Sequence, residues 1–135
     1  MPAKDRHHDA VKRALIKDGW RVVREQVFLK YEDRHIWFDL QAEHSSDEQI
    51  VLFEIKGFEE LSSPVEALES ALGQYVLYQA ILEALENPTP LFLTVPREAY
   101  ETFLSQPFAQ TGLRKAGAKL LIFDPVQEEI VQWIP

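Results

Sequence analysis

The chain of 135 residues contains no cysteine, one methionine and only five glycines. Without thiols it has no disulfide, no thiolate zinc site and no cysteine nucleophile, which fits a reducing, cytoplasmic setting. No apolar run is long enough to cross a bilayer, and the opening Met1-Pro2-Ala3-Lys4-Asp5 lacks the apolar core of a secretory signal. A Gly-rich phosphate loop, a Ser-His-Asp signature and an HExxH motif are all missing, and His7, His8, His35 and His44 lack zinc-site spacing. No repeat, low-complexity tract or linker interrupts the sequence, so residues 1–135 read as one domain. That length buries roughly two thirds of the surface an unfolded chain exposes. Positive charge is also scarce. The net charge is −8, which at first argues against a phosphate-backbone partner.

What remains is an ordinary soluble composition, 46% hydrophobic and 27% charged. The charge is unevenly spread. Residues 1–34 hold nine Lys or Arg against six Asp or Glu, and residues 35–135 hold five against sixteen. The plain reading is a solvated first helix; the alternative is a phosphate-facing one.

Apolar spacing predicts a helix from Asp5 to Asp18, closed by Gly19, and then short strands at Trp20–Val23, Val27–Tyr31 and Ile36–Leu40. The run Ile50-Val51-Leu52-Phe53, ending in Glu54-Ile55-Lys56, reads as a central strand buried on both faces. Ser63, Pro64 and Glu66 mark the start of a second helix that Asn87-Pro88 stops. A buried strand at Leu91–Val95, helices at Arg97–Leu104 and Phe108–Ala116, and a closing hairpin of Lys119–Phe123 and Ile130–Ile134 complete the reading. The expected fold is α/β, a mixed central sheet flanked by helices on both faces.

Asp39, Glu54 and Lys56 are the residues with chemistry to offer. Neighbouring strands would bring the two carboxylates to one rim of the sheet, and Glu54 and Lys56, two apart, share a face. Such oxygen ligands, with the Ile55 carbonyl, suit Mg²⁺ or Mn²⁺. The ion would activate a water, and Lys56 would orient it or meet developing charge. The bland alternative is a surface ion pair, but charges ending so apolar a strand are costly without a ligand or partner. Gln74 and Tyr78, four apart on the second helix, share a face that a crossover would aim at the same rim. His8, one turn before Lys12, would reach a phosphate or a metal-bound water, or else lie in solvent. Trp20, Trp37, Trp133 and the phenylalanines read as core or interface aromatics, and Phe123 and Trp133 mark a possible homo-oligomer contact.

Asp39, fourteen residues, Glu54-Ile55-Lys56, and then a helix bearing Gln74 and Tyr78 resemble the PD-(D/E)xK nuclease superfamily. The whole chain more closely resembles the XisH family, the fdxN element excision controlling factors of cyanobacteria. That likeness is carried by Met1-Pro2-Ala3-Lys4-Asp5, His8-Asp9-Ala10-Val11-Lys12, Ala14-Leu15-Ile16-Lys17-Asp18-Gly19-Trp20, Ala71-Leu72-Gly73-Gln74-Tyr75-Val76-Leu77-Tyr78, Phe123-Asp124-Pro125 and Trp133-Ile134-Pro135. The resemblance implies a restriction-endonuclease-like fold and a role in programmed DNA excision during heterocyst differentiation. It also implies work beside a site-specific recombinase and a XisI-type companion protein. Asp39 and Glu54 would be its metal ligands, Lys56 its catalytic lysine and Gln74 its helix-borne polar residue. One position departs: Phe38 stands where the superfamily motif has proline. Two functions follow, a metal-dependent nuclease or a non-catalytic factor acting through its partner.

Overall fold

A computed structural model describes residues 6–58 and 63–135. The elements run α1 (His8–Lys17), β1 (Trp20–Tyr31), β2 (Arg34–His44), β3 (Ile50–Ile55), α2 (Pro64–Ala84), β4 (Leu91–Pro96), α3 (Arg97–Ala99, continuing as a π-turn over Tyr100–Leu104), α4 (Pro107–Ala116), β5 (Lys119–Asp124) and β6 (Glu129–Ile134). Asp5, expected to open the first helix, lies outside the described residues.

Local signals explain most boundaries. The Ser63 hydroxyl accepts from the Glu66 N–H at 3.1 Å, and Pro64 fills the first helical position, where its missing N–H costs nothing. Gly117, with a φ of 64°, closes α4 in the left-handed conformation that suits glycine. The six strands form one mixed sheet in the order β1-β2-β3-β4-β5-β6, parallel at β3–β4–β5 and antiparallel elsewhere. The parallel joins need crossovers, which α2 and the α3–α4 stretch supply. Leu68, Ala71, Tyr75 and Leu82 of α2, with Ala109 and Leu113 of α4, cover one face; Val11 and Leu15 of α1 cover the other. Both sides of β3 and β4 are therefore sealed, which is why their sequences are apolar without alternation.

The Tyr75 hydroxyl pins α2 to the sheet, donating to the Leu91 carbonyl at 2.9 Å and accepting from the Lys119 N–H at 3.2 Å. Burial raises its pKa.

Two expectations are corrected. The pair of short strands after Gly19 is one twelve-residue strand. It stays continuous because β2 pairs along its whole length, while a bulge between Val22 and Arg24 absorbs the break in pattern. Phe123, read as an interface residue, is fully buried in the α1-side core, so it cannot build an oligomer contact. Trp133 packs over Trp20 at 5.4 Å and Phe92 at 5.0 Å, and Phe28 is 53% exposed.

One irregularity positions the site. β2 and β3 pair only from Glu43–Ile50 to Leu40–Phe53, and beyond Leu40 β2 continues with β1 alone. Ile36 and Phe38 then join the α2-side core while Leu40 and Ala42 belong to the α1 side, although all four alternate in phase. The far half of the β1–β2 hairpin thus swings across towards α2. Its hinge is Asp39, opposite Gln26, whose φ of 53° is unusual for a non-glycine residue.

Candidate functional site

Where β2 leaves β3, side chains take over the ladder. The Lys56 N–H donates to the Thr94 carbonyl on β4, so the preceding peptide groups of Ile55 face β2. Asp39 Oδ2 accepts the Ile55 N–H at 2.7 Å, and the Asp39 N–H donates to Glu54 Oε1 at 3.2 Å. The second oxygen of Glu54 accepts from Gln74 Nε2 at 2.8 Å. The donors in this chain of bonds are neutral, and they fix both carboxylates at one rim of the sheet. Glu54 is only 6% exposed, so its charge sits in a poorly solvated place.

Tyr78, one helical turn beyond Gln74, completes the constellation. Its ring lies 5.3 Å from that of Phe38. Burial raises its pKa first; the hydrogen bond with Gln74 opposes the rise, and the negative charges of Glu54 and Asp39 add to it. Lys56 is half-buried one β-step beyond Glu54, which puts both side chains on one face of the strand. Gly57 and Phe58, directly after it, line a cleft of about 710 Å³. That cleft opens at the carboxyl ends of β3, β4 and β5, bounded by Pro96, Pro125 and the start of α1, where open α/β sheets hold ligands.

His8 and Lys12 go elsewhere. His8 is 1% exposed rather than in solvent, and its Nε2 lies 2.8 Å from Glu25 Oε1. Lys12 Nζ donates to Glu25 Oε2 at 2.9 Å. Glu25, on β1, is held below the usual carboxylate range, chiefly by the Lys12 bond and then by His8. His8, Asp9 and Glu25 each place one ligand atom within 4.8 Å of the others, but the Lys12 ammonium occupies one oxygen of Glu25 and opposes a second cation there.

Sequence reasoning missed Glu25 and Gln26. Neither belongs to a motif; only strand pairing places Glu25 under α1 and Gln26 opposite Asp39. Both polar atoms of the Gln26 amide are buried without a hydrogen-bond partner.

The chain is an α/β protein with a six-stranded mixed sheet between helices, and Asp39 and Glu54 stand where β2 and β3 part. The XisH protein family matches residues 1–131, and the chain belongs to the XisH family. An XisH family protein from Nostoc punctiforme PCC 73102 is similar in structure, with a TM-score of 0.89 and 32% identity over 97% of this chain and 100% of that one. An fdxN element excision controlling factor protein from Anabaena variabilis is also similar, with a TM-score of 0.88 and 32% identity over 96% of this chain and 98% of that one. No curated protein matches the chain. Among the described residues no helix is long and apolar enough to cross a membrane.

Proposed function

We propose that the protein is an excision controlling factor whose Asp39–Glu54 rim holds Mg²⁺ or Mn²⁺ and cuts a DNA phosphodiester bond. The observation that carries this is the fixing of both carboxylates at the point where β2 and β3 diverge. The donor set fits a hard cation: carboxylate oxygens of Asp39 and Glu54 with the main-chain carbonyl of Ile55, all oxygen and no sulfur or imidazole. When bound, such an ion neutralises phosphate charge and lowers the pKa of a coordinated water.

The chain's own groups divide the remaining work. Lys56, on the same face as Glu54, meets negative charge on the phosphate and orients the attacking water. Gln74 fixes the rotamer of Glu54, and the Tyr78 hydroxyl offers a neutral donor to a phosphate oxygen. The cleft lined by Gly57 and Phe58 begins directly after Lys56 in the chain, although none of the rim side chains lines it. The PD-(D/E)xK likeness of Asp39, Glu54 and Lys56 supports the cleavage chemistry, and the name of the Anabaena variabilis relative supports the excision-controlling role alone. Supercoiled plasmid incubated with Mg²⁺ or Mn²⁺ tests it: wild type nicks the DNA and Lys56→Ala does not. Intact plasmid with wild type overturns catalysis.

A second reading is favoured by the net charge of −8, which weakens direct DNA contact. Here the protein is a non-catalytic factor that reaches DNA through a XisI-type companion and a site-specific recombinase. Co-purification of the companion with wild type and with Lys56→Ala alike supports it.

A further inference from the structure

We propose that the outward face of α2 is a docking surface for a partner protein that presents apolar side chains framed by lysine or arginine. The inference rests on the partner-dependent reading above and does not require DNA cleavage.

The inner side of α2 is accounted for by Leu68, Ala71, Tyr75 and Leu82 in the core and by Gln74 at the carboxylate rim. The middle of the outer side is apolar as well. Val76 and Leu77 are 50% and 56% exposed, next to solvent-facing Gly73 and Ala80. A contiguous apolar patch left exposed on a helix marks an interaction surface. Gly73 sharpens the point. At Gly112 on α4 an added Cβ would meet Leu72 Cδ1 at 2.9 Å, so glycine there permits close helix packing. At Gly73 an added Cβ meets nothing within 4 Å, so nothing inside the molecule accounts for a glycine that weakens the helix interior. A close approach from outside does.

Charge selects the occupant. Exposed Glu69 lies on the N-terminal side of the patch, and exposed Glu83 and Glu86 on its C-terminal side. A second copy docked by an antiparallel two-fold centred on Val76 would bring Glu69 against Glu83, each seven residues from Val76. Like charges meet at both ends, which disfavours that pairing. A partner with basic flanks is attracted at the same two places.

The test uses three synthetic helical peptides as probes, with the protein metal-free in EDTA and no DNA present. One carries an apolar stripe with lysine flanks, one the same stripe with glutamate flanks, and one the lysine composition scrambled so that no stripe forms. Fluorescence anisotropy should show binding of the first alone. Leu77→Asp should weaken it about tenfold or more, as truncation of a central anchor does. Gly73→Leu should do the same by bulk, while Gly73→Ala leaves the fold intact and raises the melting temperature. Glu69→Lys with Glu83→Lys should transfer preference to the glutamate-flanked peptide. Equal binding of the scrambled peptide, or indifference to Leu77→Asp in a folded variant, overturns the surface. So does a sedimenting dimer that Leu77→Asp dissociates, since the occupant is then a second copy. Companion protein that co-purifies undiminished with Leu77→Asp overturns the surface but leaves the partner reading standing; failure to co-purify with wild type defeats that reading itself.

Discussion

Two carboxylate clusters flank β1 and β2, and they are built on opposite electrostatic plans. On the α1 side, Glu25 receives both His8 and Lys12, so one negative charge meets one cation and one imidazole. On the α2 side, Asp39 and Glu54 are drawn together by the Ile55 and Asp39 N–H groups and the Gln74 amide. The first arrangement completes itself and ties the helix to the sheet. The second gathers two carboxylates at one sheltered rim, and under the proposed function that is where a cation would bind. Similar residue types thus form a structural clamp in one place and, in the proposed function, a cation-binding rim in the other.

The sharpest break in this comparison is removal of Glu25. Glu25→Ala leaves the buried His8 ring without its acceptor and frees Lys12, and it should cost about 2–3 kcal/mol in urea denaturation. Glu54→Gln should cost less, about 1 kcal/mol or under, because the amide oxygen keeps the Asp39 N–H bond and Gln74 can turn its own carbonyl to the new amine. Equal losses in the two variants would erase the distinction between clamp and rim.

Acid extends the contrast. The folded-state pKa of Glu25 is depressed, so its contribution is present above the unfolded glutamate value of about 4.3 and is lost as pH falls through the lower, folded value. A stability profile should therefore fall steeply below about pH 4 in wild type and less steeply in Glu25→Gln. The smallest effect is spectroscopic. Asp39 and Glu54 help to raise the pKa of Tyr78, so a bound divalent cation should move that ionisation back down. Alkaline titration by tyrosinate absorbance, with Tyr78→Phe as the reference, detects it.

Much of this plan was readable from residue order. The Ser63–Pro64 helix start, the doubly buried β3 and the Glu54-Ile55-Lys56 ending needed only local chemistry. The continuity of β1 did not show, because its break in apolar pattern is a bulge that only the pairing with β2 reveals. The meeting of Asp39 with Glu54 was inferred from neighbouring strands, but the divergence that makes side chains replace the ladder is a tertiary event. His8 misled for the same reason. A histidine near a helix start reads as solvated until Glu25, seventeen residues on, is folded beneath it. The exposed ring of Phe28 is the reverse case, an apolar strand residue left outside when the hairpin swings over.

The claim that the α2-side rim is a cation site stands or falls on direct metal binding. Calorimetric titration of the metal-free protein with Mn²⁺ should show one saturable site in wild type. Asp39→Asn and Glu54→Gln should abolish it, and Glu25→Gln should leave it in place. No saturable binding by wild type, or binding that survives loss of both rim carboxylates but disappears with Glu25, would contradict the account.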